Sequence, residues 1–150
     1  MGTTTKTLYD TDFVEWTAHT ADLLRSGRTG EVDMEHLVEE IEDLGNSERS
    51  AVLSQVARML MHLVKERIQP KRSGASWRTS IANAQIEIVL KLEDSPSLRR
   101  YLEKKLERAW RIAVKTAILE TNFPRARHSE IPEKCPYTLD ELLESIPEPR

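Results

Sequence analysis

The chain has a single cysteine, Cys135, in 150 residues, which excludes an intrachain disulfide and leaves no second thiol for a metal clip or a redox couple. A reducing compartment is the simpler setting. Cys135 sits between Lys134 and Pro136 with no activating neighbour in the sequence, so an ordinary semi-buried tail residue is expected there. No apolar run approaches the ~18 residues of a membrane span, and Met1 to Lys6 lacks the apolar core of a signal peptide. The expectation is a cytoplasmic protein with no membrane contact. The Met-Gly opening fails the myristoylation pattern, because Lys6 stands where Ser or Thr is needed.

Excess charge is missing too. Charged residues are 31% of the chain, yet the net charge is only -3, so the totals indicate neither a nucleic-acid binder nor an acidic tail. There is no Gly-rich phosphate loop, no zinc-finger spacing and no defensible Ser/His/Asp ordering. Period-two alternation, internal repeats and low-complexity tracts are likewise absent, which removes strands and solenoids from consideration.

What is present is helical punctuation. An all-α fold is expected: one helical bundle domain over 9–150 behind a flexible lead at 1–8, with about five main helices and a short C-terminal capping helix. The first helix is placed at 10–26, where Phe13, Trp16 or Thr17, Thr20, Leu23 and Leu24 recur at helical spacing before Ser26-Gly27. Asp33 caps a second helix at 33–44, with Met34, Leu37, Val38, Ile41 and Leu44 on one stripe and Gly45 as its stop. Asn46 or Ser47 then opens a third at 47–68, the one expected to be most buried, folded back on the second and ended by Pro70. Ser76 caps a fourth at 76–93, and Ser95-Pro96 opens a fifth at 96–121. The last, at 139–145, carries the capping pair Thr138 and Glu141 and should dock through Leu139, Leu142 and Leu143.

Charge is unevenly distributed along these helices. Glu31 to Glu48 holds eight acids and no Lys or Arg, while Arg99 to Arg127 holds nine bases against three acids. Side-by-side packing of an acidic and a basic helix is the preferred explanation, ahead of a basic surface for phosphates.

Several stretches together resemble one bacterial family. They are Asp12-Phe13 with Trp16, the run Glu39 to Gly45 with Ser47-Glu48, and Leu60-Met61-His62-Leu63-Val64-Lys65. Gln69-Pro70, Ser76-Trp77-Arg78, Asp94-Ser95-Pro96-Ser97-Leu98 and Cys135-Pro136-Tyr137-Thr138-Leu139 complete the pattern. The chain is similar, from about residue 9 to 145, to the family catalogued as domain of unknown function twenty-nine. The resemblance implies an all-helical bacterial protein and brings no activity with it. That family commonly finishes on an aromatic-Pro ending, where this chain reads Ile146-Pro147-Glu148-Pro149-Arg150, so the docking of the last residues stays open.

The residues able to carry chemistry lie on the second and third helices and the turn after them. Glu39, Glu40, His62, Trp77 and Arg78 form the candidate polar site, on the expectation that the two helices pack and bring Glu39 or Glu40 to His62. His62 falls off the broad apolar face of its helix, near Arg58, Lys65 and Glu66. No cofactor is expected. If a divalent metal binds, His36, Glu40, Asp43 and His62 are its candidate ligands, since imidazole and carboxylates together suit Zn²⁺ or Mn²⁺. Arg67, Lys71, Arg72, Trp77 and Arg78 make a basic turn with an aromatic, able to meet phosphate or an acidic partner. The leading reading is a helical protein acting through a protein partner or self-association. Two others remain open: a divalent-metal hydrolase of a phosphate-containing small molecule, and a nucleic-acid-associated regulator, although nucleic acid is not expected as a partner.

Overall fold

The computed structural model describes residues 7–150, and among them every regular element is helical, with no strand. The lead expected at 1–8 falls at 1–6 outside the described residues; Thr7 and Leu8 are already part of the first turn. The chain divides into two compact units, one ending at Ser47 and the other running from Glu48 to Arg150.

In the first unit the helix expected over 10–26 is two helices, α1 (Leu8–Thr11) and α2 (Phe13–Arg25). The break is at Asp12, whose backbone leaves the helical region so that its carboxylate can accept the Glu15 N–H at 3.0 Å. That is an N-cap, and a local side-chain acceptor here competes with helix continuation. Trp16, Thr20 and Leu23 form the buried face of α2, and Gly27 at φ 76 turns the chain after it.

The third helix departs from the sequence expectation. α3 is one element, Met34–Ile68, 35 residues long, with no stop at Gly45 and no fresh start at Asn46 or Ser47. Among the described residues only Gly27 is a glycine with positive φ, so Gly45 does not take the left-handed turn that would end a helix. A Gly inside a helix costs about 1 kcal/mol relative to Ala. Ending the helix there would orphan several carbonyls and N–H groups at once, which is the larger loss. The Asp33 cap does hold, with the His36 N–H directed at its carboxylate.

The second unit takes the rest of α3 together with α4 (Ala75–Asp94), α5 (Leu98–Thr121) and α6 (Leu139–Glu144). Its core is built from Met59, Leu60 and Leu63 of α3, Ile81 and Ile88 of α4, Leu102 and Trp110 of α5, and Leu142 of α6. Each such side chain contributes ~1.5–3 kcal/mol on full burial. Trp110 also donates its indole N–H to the Pro132 carbonyl at 2.9 Å, so the largest core residue leaves no buried donor unpaired. Gln69 leaves the helical region ahead of Pro70, and Pro70–Arg72 is a 3-10 turn.

Two starts are shifted. α4 is entered from Gly74 rather than Ser76, and α5 from Ser97 rather than Ser95, because Ser95 closes α4 and its carbonyl takes the Leu98 N–H. Thr138 caps α6 through the Glu141 N–H at 3.2 Å, with Leu139 and Leu142 buried as expected. The C-terminal residues do dock: Pro147 is buried, and the Tyr137 hydroxyl donates to the Glu148 carbonyl and accepts from the Arg150 N–H at 2.8 Å. No helix among the described residues is long and apolar enough to cross a membrane.

Candidate functional site

In the first unit α1 lies against the start of α3 through a side-chain chain that links four polar groups. Asp33 meets His36 Nδ1 at 2.5 Å, the His36 ring stacks on Tyr9 with centroids 3.9 Å apart, and the Tyr9 hydroxyl donates to Glu40 at 2.5 Å. The hydrogen bond that His36 gives to the Asp33 carboxylate raises the His36 pKa and lowers the Asp33 pKa, so the contact favours the ionic form of the pair. The Glu40 carboxylate, helped by partial burial and by Glu39 and Asp43, pushes the Tyr9 pKa up to about 12. Tyr9 is therefore a donor and not a nucleophile near neutral pH. Phe13 and Trp16 continue the aromatic set edge-on to Tyr9.

Beside this cluster runs an apolar stripe without cover. Met34, Val38, Ile41 and Leu44 recur at helical spacing on α3 and are all exposed, Ile41 at 59% and Leu44 at 70%. Phe13 and Val14 of α2 are exposed as well. Isolated apolar side chains on a surface are ordinary, but four in register on one helix are a patch. Acids flank it, since 31–48 contains no Lys or Arg.

The second unit holds the buried polar groups. His62 and Glu66, one helical turn apart on α3, are 8% and 2% exposed. His62 Nδ1 is sealed from solvent without a hydrogen-bond partner. Burial, then Lys65 and Arg58, lower the His62 pKa, while Glu120 opposes them, so the ring is neutral at pH 7. Glu66 faces Arg78 of α4 at 3.0 Å, but burial outweighs that cation and raises the Glu66 pKa. Arg78 also reaches the C-terminal residues, through the Pro147 carbonyl at 2.9 Å and the Glu148 carboxylate at 3.0 Å.

His62 also lines a cleft of about 450 Å³ between α3 and α5, with Ser54, Arg58, Lys65, Thr116 and Glu120. Lys65 and Glu120 form an ion pair across it. A larger groove of about 850 Å³ on α5 has an apolar floor of Trp110, Val114, Ile118 and Ile131 with Arg111, Lys115 and His128 at its rim.

The residues singled out from sequence are thus divided. Glu39 and Glu40 belong to the first unit and His62 to the second, on one helix with no hairpin turn at Gly45. His62 is buried and not a surface residue, because the α3 flank that carries it faces α5. Arg78 meets Glu66, Pro147 and Glu148, none of them in the set expected from sequence, while Trp77 is half-buried near the start of α4. Of the candidate metal ligands, His36 and Glu40 are engaged by Asp33 and Tyr9. Among the described residues no group of three or more His, Cys, Asp or Glu side chains is placed to hold a metal ion.

The basic turn at 67–78 is spread out: Arg67 donates to the Glu130 carbonyl at 2.9 Å, and Lys71 and Arg72 share a small cleft with Arg127. Cys135 is partly buried, its thiol pKa pushed up to about 11 by desolvation, which suits an unreactive tail residue. Sequence reasoning missed Tyr9 and underrated Glu66. Tyr9 carries no signal of its own, but an acid four residues after His62, on the flank turned to the core, was a usable clue to Glu66.

The family model described as Domain of unknown function DUF29 matches residues 8–146. No curated protein and no solved structure matches the chain.

Proposed function

Because the chain belongs to the family described as Domain of unknown function DUF29, a description that carries no reaction, we propose from its own surfaces that it is a helical interaction module. Its acidic, apolar N-terminal face takes up a basic amphipathic helix of a partner protein. The observation that carries this reading is the uncovered stripe of Met34, Val38, Ile41 and Leu44 along α3. An amphipathic helix normally buries such a stripe, and helix-in-groove recognition uses anchors at this spacing. The sign of the partner follows from the flanks: eight acids with no Lys or Arg over 31–48 favour a cationic rim opposite and disfavour the same face of a second copy.

The Asp33, His36, Tyr9 and Glu40 chain supports the reading as scaffolding, since it ties α1 to α3 beside the stripe. It offers no activated nucleophile.

The test uses the full chain and two synthetic helices with Leu at helical spacing, one flanked by Lys and one by Glu. The Lys-flanked helix should bind and the Glu-flanked helix should not, with the affinity falling as salt rises. Ile41→Asp separates the two contributions, because it makes the face more acidic and less apolar. A loss of about tenfold or more in affinity for the Lys-flanked helix is expected. Unchanged or tighter binding by that variant would show bare charge attraction and end the proposal. Sedimentation of the chain alone reads self-association, which the flanking acids should keep weak.

A further inference from the structure

We propose that the cleft between α3 and α5 is a binding site for a small oxyanion, gripped by the His62 ring and the Arg58 guanidinium. The site is independent of the N-terminal face and lies wholly within the second unit.

The argument begins with the buried ring. His62 Nδ1 is sealed and unbonded, so Nε2 is the ring atom turned to the cleft that His62 lines. A neutral imidazole carries one N–H. Placed on Nδ1, the proton would be a buried donor with nothing to receive it, the rarer and costlier kind of orphan; placed on Nε2, it points into the cleft and leaves a bare acceptor behind. The second tautomer follows, and the cleft gains a donor.

The remaining lining has the same polarity. Arg58 makes no hydrogen bond or ion pair among the described residues and brings a guanidinium, a fork-shaped donor set matched to oxyanions. Lys65 adds a second cation, half-satisfied by Glu120, the only carboxylate in the lining. The Thr116 hydroxyl gives its proton to the Ile112 carbonyl, and Ser54 brings a second hydroxyl to the lining. The groups around His62 are therefore Arg58 and Lys65 from its own helix and Glu120 and Thr116 from α5. Their balance is cationic, which repels a metal ion and attracts an oxyanion. A volume of about 450 Å³ lies within the range of ~300–1,000 Å³ common for small-molecule sites and accepts a phosphate or carboxylate with a small organic body.

Binding is coupled to protonation. Burial and the two neighbouring cations hold the empty ring neutral. An oxyanion at Nε2 favours the imidazolium, so occupancy raises the His62 pKa.

The experiment is an NMR titration of the four histidines of the intact chain with inorganic phosphate and, separately, acetate, at fixed ionic strength. His62 is assigned from the signal missing in His62→Gln. The expected result is a saturable shift of the His62 resonance with phosphate up to ~10 mM, its pKa rising on saturation, while His36, paired with Asp33, stays still. Arg58 is exposed, so Arg58→Gln keeps the fold and should weaken the apparent affinity about tenfold; Lys71→Gln, in the separate basic cleft, should leave it unchanged. Phosphate without acetate assigns a phosphoryl ligand, and acetate as well extends the class to carboxylates. No saturable shift with either ion, or equal affinity in Arg58→Gln, would overturn the proposal.

Discussion

Gly45→Ala asks whether α3 is one helix or two. In the uninterrupted helix Met34–Ile68, Gly45 is interior and half-buried, and among the described residues Gly27 is the only glycine with positive φ. Ala in a helix interior is about 0.8–1 kcal/mol more favourable than Gly, because Gly loses more backbone freedom on folding. The variant should therefore be more stable by ~1 kcal/mol, which for a chain of this length is an upward shift of about 2–4 °C in Tm. A helix ended by Gly45 in the left-handed region gives the opposite sign, since a Cβ there costs roughly 1–2 kcal/mol. The two arrangements differ by ~2–3 kcal/mol in predicted effect, well beyond the error of a urea melt. Helix content at 222 nm, followed through urea and thermal unfolding of parent and variant, supplies the measurement. A destabilised Gly45→Ala would refute the continuous helix and restore the hairpin.

Thr138→Ala removes the side-chain acceptor of the Glu141 N–H and should cost ~0.5–2 kcal/mol, read as a lower urea midpoint with unchanged slope. The Asp33 and His36 pair gives a pH prediction. Because the His36 pKa is raised, its contribution is complete below the unfolded value of ~6.5 and fades as pH climbs through the folded one; because the Asp33 pKa is lowered, its share is present above ~3.9 and fades in acid. Asp33→Asn should bring the His36 titration, followed by NMR, back down toward its ordinary value, and an unmoved titration would dissolve the pair.

Most of the helix pattern was legible because caps and periodicity are local. Asp33, Pro70 and Thr138 act through atoms a few residues away, and each performs its expected role. Gly45 misled for the same reason. A Gly followed by Asn and Ser has the chemistry of a helix junction, and whether the chain uses it depends on the hydrogen bonds a break would forfeit, which local chemistry does not reveal. The candidate site suffered most, since the meeting of Glu39 or Glu40 with His62 depended on that turn. His62 looked peripheral on a helical wheel because its flank is polar; only the position of α5 decides that Arg58, His62 and Lys65 line a cleft. Glu66 and Arg78 were each visible in sequence, but their link to Pro147 and Glu148 spans about 70 positions, beyond any local pattern.

That link sets an order of assembly. Local helices form within about a microsecond, whereas closing a long loop carries an entropy cost of roughly (3/2)RT ln n, so the contacts from Arg78 to Pro147 and Glu148 belong among the last to form. During synthesis the wait is longer, because at ~5–20 residues per second the ribosome adds the stretch between Arg78 and Glu148 over several seconds. Throughout that interval Glu66 is already polymerised into α3 and lacks the segment that docks beside its cation. Its carboxyl group, costly to bury when charged, makes early closure of this end of the helix less favourable until residues 147–150 arrive.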